Sequence, residues 1–168
     1  ARTQMIAEAR FFRGFAYRGL ACLFGGVPLI VHEVKTPRRD FVRASREGTF
    51  QQAANDLRFA AENLPAKKDV KAVGRVNSAA GYHFLAEVYL ALEKYDSAAM
   101  AASIVLDDPA FGLMKKRFGS RKNDTGNPWW DLFQMGNQNL AENTEAIWVA
   151  QIEPDDGRKG VGNYKIER

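Results

Sequence analysis

The stretch that decides the fold lies at residues 79–99 and reads AAGYHFLAEVYLALEKYDSAA. Its apolar residues recur at the three- and four-residue spacing of an amphipathic helix. They are Ala80, Phe84, Leu85, Val88, Tyr89 and Leu92. A second apolar series begins at Ala98, only a few residues later. Asn77 and Asp96 each precede one series, and a short polar side chain at that position accepts a hydrogen bond from an unpaired first-turn amide. The sequence therefore predicts a helix hairpin.

This hairpin resembles a tetratricopeptide unit. The residues that carry the resemblance are Leu85, Ala86, Tyr89, Leu90, Tyr95 and Ala98. Such a helix pair cannot bury its own apolar face alone, so it stacks on other pairs. We therefore expect further helices to pack beside it.

Two more helices are predicted before the hairpin. Residues 2–24 read as one long helix that ends at Gly25-Gly26, because glycine suits the turn after a helix. The side expected to be buried carries Ile6, Phe11 or Phe12, Phe15, Ala16, Leu20 and Leu23. The second helix has Ser45 as its N-cap candidate and continues to about Asn63, before Pro65.

The composition and the periodicity of the sequence change after the hairpin. Residues 111–142 are rich in Gly, Asn, Lys and aromatic residues and show no long helical period. Residues 146–152 are β-branched and partly alternating, which indicates a short strand or an extended run. We expect an all-α fold of tetratricopeptide-like helix pairs in 1–110, with an irregular, loop-rich segment and a short C-terminal strand in 111–168. Together, residues 1–168 are predicted to form a single unit.

Composition and charge exclude several classes of protein. The chain is 46% hydrophobic and 26% charged, which is ordinary for a globular domain and unlike a disordered chain. No apolar run approaches the ~20 residues needed to cross a bilayer. The net charge of +4 is mild, although cations cluster at 67–71 and at 115–122. These clusters suit a polyanion patch or a solvated loop. Without interleaved aromatics or a recognition helix, a nucleic-acid partner is not expected.

The stretch most typical of a ligand site is residues 123–139, which combines tryptophan with many amide side chains. A sugar ring offers an apolar face and a rim of hydroxyls, so it is recognised by a flat aromatic surface with polar groups beside it. The candidate ligand-binding residues are Trp129, Trp130, Asn127, Asp131, Asn137 and Asn139. The alternative is that Trp130 and Phe133 anchor an irregular loop while Asn and Gly form its turns.

Catalysis is not expected. His83 and Glu87 stand four apart on a helix, a spacing that can place both on one metal, but a metal site needs three or four ligands and no further His or Cys cluster is present. No nucleophile elbow and no phosphate loop are found either. The sequence predicts no enzyme, no metal and no cofactor.

Several motifs in register resemble one protein family, the SusD/RagB family of nutrient-binding outer-membrane lipoproteins. The motifs are Glu8-Ala9-Arg10-Phe11-Phe12-Arg13, Leu23-Phe24-Gly25-Gly26-Val27-Pro28-Leu29, Asn55-Asp56-Leu57, Gly74-Arg75-Val76-Asn77 and Asn143-Thr144-Glu145-Ala146-Ile147-Trp148. Each motif is short, but together they cover roughly residues 8 to 152 in order. The resemblance implies a mostly helical scaffold that supports a less regular ligand-binding part. Family binding residues match no particular position here.

The resemblance also implies a place and a partner. Family members are lipoproteins on the cell surface of Bacteroidetes, where they cap a SusC-like TonB-dependent transporter in the outer membrane and hand it oligosaccharides or other nutrients. This chain lacks the family's lipidated N-terminal cysteine, so we expect a piece of a longer protein whose missing N-terminus provides membrane attachment. An alternative is that the helical scaffold serves only to dock the transporter.

Overall fold

The computed structural model describes residues 1–72 and 74–151. The end of the predicted strand and of the loop-rich segment, residues 152–168, lies outside the described residues. Five α-helices are formed: α1 Arg2–Phe24, α2 Arg46–Asn63, α3 Ser78–Ala91, α4 Tyr95–Leu106 and α5 Pro128–Leu132. Three single-turn 3-10 helices lie at Lys67–Asp69, Gly119–Arg121 and Asn137–Asn139. The all-α class is confirmed. None of the helices in this part of the chain is both long and apolar enough to cross a membrane.

The first two helices run antiparallel. Arg10 of α1 stacks on the ring of Phe59, with 4.1 Å between the guanidinium carbon and the ring centroid. One turn further along α1, Arg13 pairs with Asp56, one turn earlier in α2. The later residue of α1 contacts the earlier residue of α2, so the two helices are antiparallel.

Helix α3 packs antiparallel to α2. Gly81 at the start of α3 lies so close to Ala61 that an added Cβ would be 2.8 Å from its Cα atom. At the other end, Lys94 donates a hydrogen bond to Gln51 near the start of α2 (2.9 Å). Helix α4 then returns along α3, so the four long helices form an up-and-down array.

The buried face of α1 differs from the predicted one. The predicted residues Ile6, Phe12, Phe15, Ala16, Leu20 and Leu23 are all exposed, and only Phe11 is buried. The residues that face α2 are Ala7, Phe11, Gly14, Tyr17 and Ala21. Small side chains dominate this face because they allow a close helix approach. The sequence pattern favoured the larger residues, of which Phe12 contacts Trp148 and Phe15 contacts Phe84 instead.

Two of the three predicted N-caps are confirmed. The side chain of Asn77 accepts a hydrogen bond from the Ala80 amide (2.9 Å), and Ser45 accepts one from Gly48 (3.0 Å). Asp96 is not an N-cap, because α4 already begins at Tyr95. The turn before α4 is closed by backbone hydrogen bonds, and Lys94 stands at the N-cap, so the helix starts two residues earlier than the side-chain signal indicates.

The predicted C-terminal strand is absent from the described part, 146–151, which is irregular. Its carbonyl groups are bound by side chains instead. Lys67 donates to the Ala146 carbonyl (2.7 Å) and Asn77 donates to the Ile147 carbonyl (2.8 Å). Within residues 1–72 and 74–151 no strand lies next to it. Burial lowers the pKa of Lys67 at this position.

Candidate ligand-binding loop

The predicted ligand residues lie in an irregular segment that we call the aromatic loop, residues 117–139. Its centre is the short helix α5. Asn127 caps this helix by accepting a hydrogen bond from the Trp130 amide (2.9 Å), and Pro128 occupies the first helical position, where a missing N–H costs nothing. Asn127 itself is exposed, so its side-chain nitrogen faces solvent.

An exposed aromatic pair lies on one side of α5. Trp129 is 65% exposed and Phe133 is 69% exposed. Because they are four residues apart, they share a face, and their ring centroids are 4.9 Å apart at an interplanar angle of 61°. Large aromatic side chains next to each other and open to solvent form a surface on which an apolar ring face can stack.

Trp130 points a different way and packs inside the loop. The guanidinium carbons of Arg117 and Arg121 each lie 5.8 Å from its ring centroid. Gly126 passes so close that an added Cβ would be 2.5 Å from the Cε3 atom of Trp130. The ring is therefore held by the loop backbone and by two cations.

Asp131 is a buried anion, with no exposed surface. Arg117 donates to it twice, through Nε (2.6 Å) and Nη2 (2.9 Å), and the Phe118 amide donates as well (3.0 Å). The hydrogen bond from Arg117, helped by the Phe118 amide, lowers the pKa of Asp131. Burial acts in the opposite direction and is outweighed. Asp131 therefore shapes the loop from inside.

Asn137 is the second buried polar residue, 1% exposed. Its side-chain oxygen accepts from the Ser120 amide (3.1 Å), and its nitrogen donates to the Asp131 carbonyl (2.9 Å). Gly119 adopts a positive φ of 72°, and an added Cβ there would meet Asn137 Oδ1 at 2.1 Å. Only glycine fits this turn against the amide.

Asn139 belongs to a different surface. Its amide exchanges two hydrogen bonds with Gln151, at 2.8 and 3.1 Å. Asn139 lines a groove of about 400 Å³. The other residues that line this groove come from the segments 67–77 and 138–149. Neither Trp129 nor Trp130 lines that groove.

The structure thus brings Asn127, Trp129, Trp130 and Asp131 together on α5, places Asn137 beneath them, and separates Asn139 into the groove. Sequence reasoning did not select Phe133 or Arg117 as site residues. The four-residue spacing from Trp129 is a signal for Phe133. Arg117 carries no such local signal, because its partner Asp131 lies fourteen positions away.

Residues typical of metal or acid–base chemistry do not converge elsewhere. Within residues 1–72 and 74–151, no group of three or more His, Cys, Asp or Glu side chains is placed to hold a metal ion. His83 Nε2 lies 3.4 Å from Glu87, which also pairs with Arg18. His83 and Glu87 lie on the same helix, α3, and the Arg18–Glu87 ion pair connects that helix to α1.

Comparisons with known proteins agree with this architecture. Residues 1–90 match a protein-family model, SusD-like_3, described as starch-binding and associating with the outer membrane. A SusD-like protein of Bacteroides ovatus is 32% identical over 164 residues, covering 89% of this chain and 27% of that protein.

Solved structures show the same fold. A SusD-like carbohydrate-binding protein of Bacteroides fragilis superposes with a TM-score of 0.72 at 23% identity, covering 87% of this chain and 26% of that one. A second SusD-like protein of that organism gives a TM-score of 0.75 at 21% identity, covering 92% and 28%. The chain therefore spans about a quarter to a third of the relatives it matches. Since the family match extends over more than half of the chain, this protein belongs to the SusD-like family.

Proposed function

We propose that these residues are part of a cell-surface glycan-binding protein, and that the aromatic loop contributes to its ligand site. The proposal rests on membership of the SusD-like family, whose description is starch-binding. The observation that carries it is the exposed Trp129–Phe133 pair on a loop whose shape is fixed internally by Arg117, Asp131 and Asn137.

Such a loop is suited to binding because its backbone and side chains need little further ordering when a ligand binds. Association loses free energy when loops and side chains must be immobilised, so a prearranged loop keeps more of the contact energy. The exposed aromatic pair offers a stacking face. The free side-chain nitrogen of Asn127, next to Trp129 in sequence, offers a hydrogen-bond donor for a sugar hydroxyl.

The wider role follows from the family resemblance. We propose that the full-length protein is an outer-membrane lipoprotein that binds oligosaccharide without catalysis and delivers it to a SusC-like TonB-dependent transporter. Its membrane attachment would come from a lipidated N-terminus outside these residues. No metal or cofactor is required for stacking and hydrogen bonding, which are the interactions that the loop offers.

The direct test is titration of the full-length protein with oligosaccharides, beginning with maltohexaose as a starch fragment, while tryptophan emission and binding heat are recorded. Trp129→Ala should weaken binding by about ten- to a hundredfold, because stacking of one ring contributes roughly 1–3 kcal/mol. Tyr95→Ala is the matched control, because Tyr95 is an equally exposed aromatic residue on α4, 64% exposed.

The outcome of that titration decides the role of the loop. Loss of binding in Trp129→Ala with an unchanged melting temperature supports the proposal. Undiminished glycan binding by Trp129→Ala and Phe133→Ala would show that the ligand is contacted elsewhere.

A second function is favoured by helix α1, which exposes large apolar side chains towards its C-terminus. Leu20, Leu23 and Phe24 are all exposed, Leu23 by 77%. Contiguous exposed apolar patches mark protein contacts. The scaffold could therefore serve only for docking to the transporter. Leu23→Gln in the full-length protein tests this: docking alone predicts reduced co-purification with the transporter and unchanged glycan binding.

A further inference from the structure

At the start of the aromatic loop, and just before it in sequence, lies a concentration of positive charge that the proposed function does not require. Residues 115–124 contain five cationic side chains and a single carboxylate, that of Asp124. The cations are Lys115, Lys116, Arg117, Arg121 and Lys122. Starch is uncharged, so a neutral glycan would have no use for this charge.

Among the residues that the structure describes, one of these five cations is neutralised by a neighbour. Arg117 is paired with the buried Asp131. The other four are exposed, and none has an acidic partner within 4 Å among the described residues. We call Lys115, Lys116, Arg121 and Lys122 the free cations.

Two of the free cations, Arg121 and Lys122, lie in the loop segment that is folded next to α5. Besides binding Asp131, Arg117 donates to the carbonyls of Arg121 and Asp124, so the segment 117–124 is wrapped around the side chain of Arg117. The Arg121 guanidinium is consequently placed over the ring of Trp130, which neighbours Trp129 in the same helix turn. Charge and stacking surface are therefore parts of one folded loop.

We propose that the ligand of the aromatic loop is an acidic glycan, one whose sugars carry carboxylate or sulfate groups. This inference rests on the proposed function of the loop. A sugar ring would stack on Trp129 and Phe133, while its anionic substituent would meet Arg121 and Lys122. A guanidinium donates two parallel hydrogen bonds to a carboxylate or a sulfate, which a neutral hydroxyl cannot accept as a pair.

Two matched glycan pairs test the charge requirement with the full-length protein. Tetragalacturonate is compared with its methyl ester, which removes the charge but keeps the backbone, and a sulfated carrageenan oligosaccharide is compared with its desulfated form. We expect the charged member of at least one pair to bind about fivefold or more tightly at low salt, with the difference shrinking as NaCl is added. The pair that shows the preference identifies carboxylate or sulfate.

One variant and its control locate the effect. Arg121→Gln should weaken binding of the charged glycan about two- to fivefold, the usual size for one exposed charge contact, and leave the neutral form unchanged. Arg39→Gln removes an equally exposed arginine from the α1–α2 connection and should change neither. Equal binding of charged and neutral members, or an equal loss for both in Arg121→Gln, would overturn the inference.

Two further outcomes separate this inference from the function on which it rests. If maltohexaose binds in a Trp129-dependent way and charge confers no preference, the proposed function stands and the acidic ligand is wrong. If no glycan depends on Trp129, both are wrong. Single-stranded DNA serves as a general polyanion, and binding of DNA as tight as that of the charged glycan would also overturn the inference.

Discussion

The guanidinium of Arg117 donates two hydrogen bonds, of 2.6 and 2.9 Å, to the buried carboxylate of Asp131, fourteen residues later in the chain. This pair joins the start of the aromatic loop to α5. It lies apart from the helical core, whose buried residues come mainly from α1 to α4. The shape of the loop and the stability of the scaffold should therefore respond to different substitutions.

Asp131→Asn should weaken glycan binding by the full-length protein about three- to tenfold, because a loosened loop must be ordered on binding. The melting temperature should stay within about 3 °C, since the change is local. Asp124→Asn, an exposed carboxylate in the same loop, is the control. If Asp131 acts through the position of Trp129, its effect on affinity disappears in a Trp129→Ala background. A full effect in that background would contradict this role.

The same pair predicts a pH dependence. The pKa of Asp131 is lowered in the folded loop, so its contribution is fully present above the ordinary pKa of an aspartate and is lost as the pH falls through the lowered value. Tryptophan emission should stay constant from neutral pH to about pH 5 and shift to the red only below about pH 4. Asp131→Asn should lack this low-pH transition, and its persistence there would assign it to another group.

The Gly119–Asn137 contact should be equally sensitive. Gly119→Ala puts a methyl group into the amide of Asn137 and strains a positive φ, and Asn137→Ala leaves buried backbone groups without partners. Each should cost about 1–3 kcal/mol of loop stability. Hydrogen exchange of the full-length protein should show faster exchange confined to 117–139. Gly112→Ala, where an added Cβ meets nothing within 4 Å, is the control.

In the scaffold, Gly81→Ala should destabilise the protein by about 1–3 kcal/mol, because the new methyl group would force α3 away from Ala61 of α2. Gly19→Ala provides a contrast of opposite sign. It lies within α1 with nothing near its Cβ position, so it should stabilise by about 0.5–1 kcal/mol. Denaturant unfolding of the full-length protein measures both. Equal effects would mean that helix propensity, and not packing, decides.

The Arg13–Asp56 pair should contribute through the buried carboxylate. Arg13 reaches both oxygens of Asp56 at 2.7 Å, and Gln52 adds a third bond at 3.0 Å. Asp56→Ala should cost about 2–4 kcal/mol, because a partly buried cation is left unpaired. The double substitution Arg13→Met with Asp56→Met should recover most of that loss.

The control for this pair is a surface pair of similar geometry. Arg38 and Asp40 are exposed and bonded at 2.9 and 3.0 Å. Asp40→Asn should leave the melting temperature unchanged, because solvent screens an exposed pair. A comparable loss in both variants would show that burial is not what matters.

Helix positions were the most predictable part of the fold. The bounds of α1 and α2 and the Asn77 cap all follow from signals within a few residues of each other. The buried face of α1 was not predictable in the same way. Its own residues offer two apolar stripes, and the choice depends on the small residues of α2 that lie opposite.

The site residues also fall into two groups, those that local signals predict and those that depend on distant partners. The pairing of Trp129 with Phe133 follows from their four-residue spacing once the helical turn at α5 is known. The roles of Asp131 and Asn137 depend on partners fourteen to seventeen positions away, which local patterns do not reveal. Polar residues that are typical of a ligand site are equally typical of a buried network.

By itself, the sequence determined the helical period, the bounds of α1 and α2, the family resemblance and the charge of the 115–122 segment. These depend on near neighbours in the chain or on composition. Tertiary structure decided which stripe of α1 is buried, that residues 146–151 form no strand, and which polar side chains of the aromatic loop face inward. In each case the local sequence allows two arrangements that differ little in polarity. Distant segments decide between them, because their shape and hydrogen-bonding groups fit only one arrangement.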